Sequence, residues 1–483
     1  MNTLKNVLVF ALLFLLIVGK SRAQTPKPPP TTFRDGTAEM GLAISADAAC
    51  CVDIDNDGWT DLIVGGVVWR NNQGKGFTKI AEGFGSVVAA DFDNDGFVDI
   101  FSCSQMKLYH NNGGKSFTEV PLPKLPPTVS RGACWGDFNN DGFVDLYIGG
   151  YEDWDRDITY PSFILMNDAG KGFHLAWTSS AYRTRGVTAC DFNRSGRLSV
   201  YVSNYRLQPN QLIMSDAAGK FIDRAAEFNV VATSPGFDGG HSIGACWGDF
   251  DSDGEFDLFA GNFAHVDSRG DQPKSRFLRN VGPHEDYQFA DLGTCGVFYQ
   301  ESYASPAAGD YDNDGYLDLF FTTVYGVASF SKPNFPVLYR NEGMFRFVDV
   351  TALSNVANLP PTYQAAWADF KHDGHLDLVA GGKLFINQCS NGYHWLELRL
   401  QGDGTHVNRS AIGAQVRIKL KDKIITRQVE AGTGEGNQND LTLHFGLGAA
   451  RGHIDIEIVW PDGKKQTLRH VQTDKFITIA RKQ

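Results

Sequence analysis

Short apolar runs and short acidic loops alternate along this chain. Runs such as SVVAA (86–90) and GACWG (132–136 and 244–248) lead into nine-residue loops, and DIFSC, DLYIGG, DLFAGN, DLFFTT and DLVAGG lead out of them. A third run in each unit carries a Leu/Phe-x-x-Asn flavour: LYHNN, FILMN, FLRN, LYRN, LFIN. A fourth opens on an aromatic: SFTEV, GFHLA, KFIDR, QFADL, RFVDV. Four short strands per unit, repeated at this spacing, predict the blades of a β-propeller, and the fold class is all-β.

The loops start at Asp53, Asp91, Asp137, Asp191, Asp249, Asp310 and Asp369, at intervals of 38, 46, 54, 58, 61 and 59 residues. A spare fourth strand, Thr32-Phe-Arg-Asp-Gly-Thr, precedes the first loop, and no fourth strand follows LFIN at Asn387. Pairing the two predicts a closed, seven-bladed propeller over residues 33–390 without exposed sheet edges. The alternative is an open or six-bladed arrangement with one degenerate copy outside the ring.

Carboxylates at loop positions one, three, five and nine, with glycine at six, suit a hard cation that takes six to eight oxygens. Five copies keep this set: Asp53, Asp55, Asp57 and Asp61; Asp91, Asp93, Asp95 and Asp99; Asp137, Asn139, Asp141 and Asp145; Asp249, Asp251, Asp253 and Asp257; Asp310, Asp312, Asp314 and Asp318. About five Ca2+ ions are therefore expected, in preference to Mg2+, which tolerates fewer protein ligands. The fourth copy offers Asp191, Asn193, Ser195 and Ser199 and is expected to be weak or empty. The seventh places Lys371 at position three, where its ammonium can stand in for the ion. No catalytic set accompanies any loop, so the metals read as structural.

Net charge is −12 from 44 Lys+Arg and 56 Asp+Glu. The acidity and the absence of a Lys/Arg cluster argue against nucleic-acid binding. Fifty-two glycines fit turn-rich β structure. Lys5, the apolar run Val7–Val18 and Ser21-Arg22-Ala23 form a signal-peptide pattern over 1–23, with a Pro-rich leader over 24–32. No later run is long enough to span a membrane, so a secreted protein is expected.

From about His394 the loops stop and longer alternating strands begin (WLELRL, VRIKLK, LTLHFGL, IDIEIVW), predicting a small β-sandwich-like domain over 394–480. Residues 394–483 carry +4 and residues 24–393 carry −19, a contrast that suits docking of the two. The repeats resemble FG-GAP/VCBS repeats. Asn408-Arg-Ser-Ala-Ile-Gly-Ala, Leu443-His-Phe-Gly-Leu-Gly448 and Trp460-Pro-Asp-Gly463 resemble the ASPIC/UnbV domain. Together they resemble the cartilage acidic protein family, which implies an extracellular calcium-binding propeller with a β-rich C-terminal module and no settled enzymatic activity. Animal members carry a further EGF-like segment, which these residues do not include.

Several weaker candidates remain. Cys50, Cys134 and Cys246 share a slot three residues before a loop, where Ala307 and Ala366 stand in other blades, so they read as small packing residues. Arg269-Gly-Asp271 is an RGD tripeptide in a polar insertion, and Asn193 and Asn408 begin N-x-S sequons, Asn408 being the better acceptor. GTGEG (432–436) is too short for a nucleotide site. His241 and His265 read as structural or surface residues. Tyr151, Trp154, Tyr160, Phe263, Tyr325 and Tyr363 are candidates for a sugar- or peptide-binding face. The expected function is extracellular binding or adhesion to protein or glycan on the face opposite the loops. The rival is a carbohydrate hydrolase or lyase using acids there, with Asp153, Asp155, Asp238 and Asp267 available.

Overall fold

The computed structural model describes residues 33–482 except 46, 47, 217 and 358. The expected signal peptide (1–23) and leader (24–32) lie outside the described residues. Seven four-stranded antiparallel sheets each begin with a strand leading into a loop. Blade 1 comprises Ala49–Val52, Asp61–Val64, Val67–Asn71 and Phe77–Glu82, and blade 2 comprises Val87–Ala90, Asp99–Ser102, Lys107–Asn111 and Phe117–Val120. The first strands of the other five are Ser130–Gly136, Thr184–Cys190, His241–Gly248, Tyr303–Gly309 and Ala365–Ala368. Each first strand packs on those of its two neighbours, and the seventh packs on the first, so the first strands form a closed inner ring. Phe33–Asp35 supplies the outer strand of blade 7, pairing Phe33 with Asn387 and Asp35 with Phe385.

In six of the seven blades one asparagine couples neighbouring loops. Asn111 Nδ2 donates to Val98 O of its own loop at 2.9 Å and to Ile54 O of the loop before it at 2.7 Å. Asn341 repeats the pattern on Leu317 O (3.0 Å) and Phe250 O (2.8 Å), and Asn387 on Leu376 O and Tyr311 O. Asn71 closes the circle by reaching from Thr60 O to Phe370 O of loop 7. In blade 4 the position is Ser215, whose hydroxyl reaches Phe138 O at only 3.5 Å. These asparagines, including Asn71, Asn111, Asn341 and Asn387, are buried, so the carbonyls they serve have no route to water.

Residues 394–482 form two sheets. One holds Leu443–Gly448, His394–Gln401 and Phe476–Ala480, the last parallel to its neighbour. The other runs Ile424–Gln428, Gln415–Lys419, His453–Val459, Lys465–Gln472. They lie against the loop face: one continuous core joins Val52, Trp135 and Val187 of the propeller to Leu396, Val416 and Ile458. Trp59 of loop 1, His372 of loop 7 and Phe476 stack as three rings, with centroids 4.2 and 4.3 Å apart.

The connection between the two sheets, residues 428–442, runs into the central channel. It meets backbone groups of the first strands of blades 1, 2, 3, 4 and 7 that an open channel would leave unpaired. Gln438 exchanges main-chain bonds with Ala49 and Cys51 of blade 1, and its side chain bonds both backbone groups of Ala89 in blade 2. Trp135 N donates to Ala431 O, Val187 N to Gly434 O and Trp367 N to Asn439 Oδ1. Thr433 and Asn437 pair across the tip. GTGEG is thus the tip of a plug. A Cβ on Gly434 (φ +57°) would stand 2.1 Å from Gln364 Oε1, and one on Gly132 would stand 2.6 Å from Gly434 O. Beside the tip, Glu435 pairs with buried Arg185, around which Tyr151, Tyr205 and Tyr363 present their rings.

Two sequence expectations change here. Asn408 is fully buried, its amide donating to Ile412 O (3.0 Å) and accepting from Ile412 N (2.8 Å), so it is a turn-forming residue and no glycan acceptor. Tyr151 and Phe263 are buried, whereas Trp154 and Tyr325 are exposed. The RGD tripeptide lies on an exposed two-stranded hairpin (Val266–Asp267, Gly270–Asp271), with Arg269 clamped by Asp267 and Asp271 by Lys274. Cys50, Cys134 and Cys246 are buried inner-strand residues, as their shared slot suggests.

Asn341→Ala leaves two buried carbonyls without donors and should cost about 2–4 kcal/mol. Asn72→Ala, at an exposed side chain, should change stability by under about 0.5 kcal/mol. Denaturant midpoints at unchanged m-value measure both.

Candidate metal centres

Each loop is a tight turn built on two left-handed residues. Position-six glycines have φ between 77° and 99°, as at Gly196 and Gly96, and position four is also left-handed, as at Asn56 (55°) and Asn313 (61°). The residue at position two (Ile54, Phe92, Phe138, Phe192, Phe250, Tyr311 or Phe370) is buried between blades and anchors the turn.

The aspartates divide the work. Position one caps the turn: Asp91 accepts from Asp95 N (3.1 Å) and Gly96 N (2.8 Å). Position nine spans the blade: Asp99 Oδ2 accepts from Phe92 N at 3.0 Å and its Oδ1 from Asn111 N at 2.8 Å. Asp61, Asp145, Asp257 and Asp318 make the same pair of bonds. Position five accepts from the backbone two residues on, as Asp57 does from Trp59 N and Asp314 from Tyr316 N.

Four loops gather three acids whose oxygens lie within 4.8 Å of one another: Asp53, Asp55 and Asp57; Asp91, Asp93 and Asp99; Asp249, Asp251 and Asp257; Asp310, Asp312 and Asp318. Among these, Oδ1 of Asp55, Asp249, Asp251 and Asp310 is buried without a hydrogen-bond partner. Asp249 and Asp310 are 0% and 1% exposed. A bare, buried carboxylate oxygen facing other carboxylates is a donor set that fits a hard divalent cation. In loop 3, Asn139 Nδ2 donates to Asp141 Oδ2 at 2.9 Å, filling part of that loop internally.

The two degenerate loops keep the turn by other means. In loop 4, Ser195 N (2.9 Å) and its hydroxyl (3.1 Å) both bond Asp191 Oδ1, and Gly196 N bonds Oδ2. In loop 7, Lys371 Nζ stands 2.8 Å from Asp373 Oδ2. The sequence reading treated the Asn of the third strand only as a strand marker. Its role as a bridge between loops was signalled by its recurrence in LYHNN, FILMN, FLRN, LYRN and LFIN.

Burial first, and repulsion among neighbouring carboxylates second, raise the loop acids. Asp61 is pushed up to about 8, Asp99 to about 9, Asp91 to about 7 and Asp137 to about 6. Asp249, Asp257 and Asp318 also rise well above the usual carboxylate range. Acids whose folded pKa is raised hold protons that the unfolded chain has already released, so metal-free stability is greatest at low pH. It declines as pH rises from about 4 to about 8. In excess chelator, the melting temperature should therefore be higher near pH 5 than near pH 8, and added Ca2+ should act most strongly at the higher pH. Thermal scans at fixed ionic strength measure this.

The FG-GAP-like repeat family matches residues 53–102, 91–148 and 310–380, and the ASPIC and UnbV family matches residues 404–483. Cartilage acidic protein 1 of Mus musculus is 25% identical over 304 residues, 61% of this chain and 44% of that protein. Its Homo sapiens counterpart is 25% identical over 289 residues, 58% of this chain and 41% of that protein. The chain thus spans less than half the length of these relatives. A solved structure of BBS1N in complex with ARL6DN superposes with a TM-score of 0.45 at 11% identity, over 75% of this chain and 98% of that one. No helix among the described residues is long and apolar enough to cross a membrane. Residues 53–148 and 310–380 thus match FG-GAP-like repeats, residues 404–483 match ASPIC and UnbV, and the chain is similar in sequence to cartilage acidic protein 1.

Proposed function

We propose that this chain is a secreted, calcium-stabilised binding module with no catalytic role. The observation that carries the calcium reading is the set of buried carboxylate oxygens without partners in loops 1, 5 and 6. Asp53, Asp91, Asp137, Asp249 and Asp310, with their loop companions, would hold about five ions, and each ion would supply the charge neutralisation that the crowded acids lack. The metals hold the loop face, where the C-terminal sheets already lie, so partners are left the opposite face. Connections between second and third strands emerge there in blades 3, 5 and 6. They carry Trp154 (67% exposed), Ile158, Val266, Tyr325, Val327 and Phe335 as exposed apolar side chains. An exposed aromatic surface on loops held by a rigid ring suits recognition of protein or glycan.

The rival reading, a polysaccharide hydrolase or lyase, needs a carboxyl able to give up or take a proton at that face. The Asp267 carboxyl is held well below its usual range by hydrogen bonds from Arg269, and Asp153 lies 3.6 Å from Arg156. The Asp267 arrangement does not favour a general acid.

Metal analysis and calorimetry should find about five Ca2+ per chain, with a melting temperature that rises on calcium addition. Asp249→Asn and Asp310→Asn should each remove one ion, and Asp191→Asn none. Trp154→Ala with Tyr325→Ala should abolish capture on arrays of extracellular proteins and glycans while calcium stoichiometry stays the same. No bound calcium would overturn the metal reading, and unchanged capture would overturn the choice of face.

A further inference from the structure

The residue just before each blade asparagine follows a rule set elsewhere in the blade. Strand register places Arg70, His110, Met166, Met214, Arg279, Arg340 and Ile386 at one equivalent position, beyond the pairs Leu62↔Trp69, Ile100↔Tyr109, Leu146↔Leu165, Val200↔Ile213, Leu258↔Leu278, Leu319↔Tyr339 and Leu378↔Phe385. The position is basic in blades 1, 2, 5 and 6, whose loops have Asp at position three (Asp55, Asp93, Asp251, Asp312). It is apolar in blades 3, 4 and 7, where position three is Asn139, Asn193 or Lys371.

In blades 2 and 5 the basic side chain meets the loop acids directly, whereas Arg340 of blade 6 pairs with Glu342. In loop 5, Arg279 Nε lies 2.7 Å from Asp251 Oδ2 and its Nη2 2.9 Å from Asp253 Oδ2. In loop 2, His110 Nε2 lies 3.2 Å from Asp93 Oδ2 and 3.4 Å from Asp95 Oδ2. Where position three is not an acid, it reaches position five itself: Asn139 Nδ2 to Asp141 Oδ2 at 2.9 Å, and Lys371 Nζ to Asp373 Oδ2 at 2.8 Å. In these four loops, Oδ2 of the fifth-position aspartate thus meets a nitrogen of the third strand or of position three. Arg279 leaves the other oxygens alone. Asp251 Oδ1 is buried without a partner, Asp251 is grouped with Asp249 and Asp257, and Asp253 Oδ1 accepts from Glu255 N.

We infer that Arg279, the basic side chain before the asparagine of blade 5, is a positioning residue for the cation bound in loop 5. It takes the outer oxygens of positions three and five and so turns Oδ1 of position three into the loop. Four aspartates exceed the charge of one divalent ion, and the guanidinium offsets part of the remainder. Outer partners of this kind orient metal ligands, and losing one lowers metal affinity by about 10- to 100-fold. Loop 3, with Met166 and an internal amide in place of the arginine, then forms a separate class of site. This inference rests on the calcium reading above.

Calcium isotherms of the full chain, with melting temperatures in chelator, test it. Arg279→Met should weaken one site by about 10- to 100-fold and leave the others alone. Should that variant fail to fold, Asn139→Asp with Met166→Arg asks the converse question in loop 3. The pair should bind more tightly there than Asn139→Asp alone. An unchanged isotherm with a lower chelator melting temperature would make Arg279 a structural residue only, and a tighter site would make it a competitor of the ion. Either result overturns the inference while the calcium reading stands. An unsubstituted chain that binds no calcium removes both.

Discussion

A buried main-chain carbonyl has to find a donor, and in six of the seven loops of this ring the donor is an asparagine amide that belongs to the next blade. Every other feature of the loop face depends on that bond. The carbonyl at position two finds its partner outside its own sheet, in the next blade. Asn111, Asn341, Asn387 and Asn71 reach across and close it. The same side chain also bonds the carbonyl at position eight of its own loop, so each amide fixes two loops at once. Aspartate nine completes the arrangement, since its two oxygens join position two to the asparagine's own backbone. The carboxylates are held in place by hydrogen bonds before any ion is considered, and the oxygens left over are the ones that call for a cation.

The inner ring poses the opposite problem. Seven first strands expose one edge each to the channel, and unpaired edges are costly or aggregation-prone. The plug meets those of blades 1, 2, 3, 4 and 7 with its own backbone and with the amide side chains of Gln438, Asn437 and Asn439. Glycine at the tip lets two backbones approach where any side chain would collide. Because the plug belongs to the C-terminal segment, that segment and the ring share a core. Ion pairs cross the seam as well, Arg399 with Asp53 and Arg185 with Glu435, beside the shared apolar core and the channel hydrogen bonds.

The loops, the four-strand units and the pairing of the first strand with the last blade were legible because they are local and repeated, so seven weak signals reinforce one another. The plug was not. Its partners lie between 72 and 388 residues away, and a sequence of small and amide-bearing residues looks like an ordinary connection. Asn408 misled for a related reason: the sequon is a surface pattern, but here the amide closes a buried turn onto Ile412. Aromatic residues in connections could be sorted only by burial, which separates Trp154 and Tyr325 from Tyr151 and Phe263. The link between Arg279 and Asp251 spans 28 residues and becomes visible only once register aligns the blades.

The outer strand of blade 7 comes from the start of the chain and the plug from near its end, which constrains the order of assembly. Passing a hairpin through a finished ring would require stripping its amides of water in a narrow bore. Closing the ring around a seated hairpin requires only that Phe33–Asp35 pair with 385–387. Joining segments about 350 residues apart carries a large loop-closure entropy, so this pairing belongs late in folding. The same logic runs in reverse: with its axle in place, the ring comes apart most easily at this three-residue clasp, which makes the clasp the natural determinant of how long the folded molecule lasts.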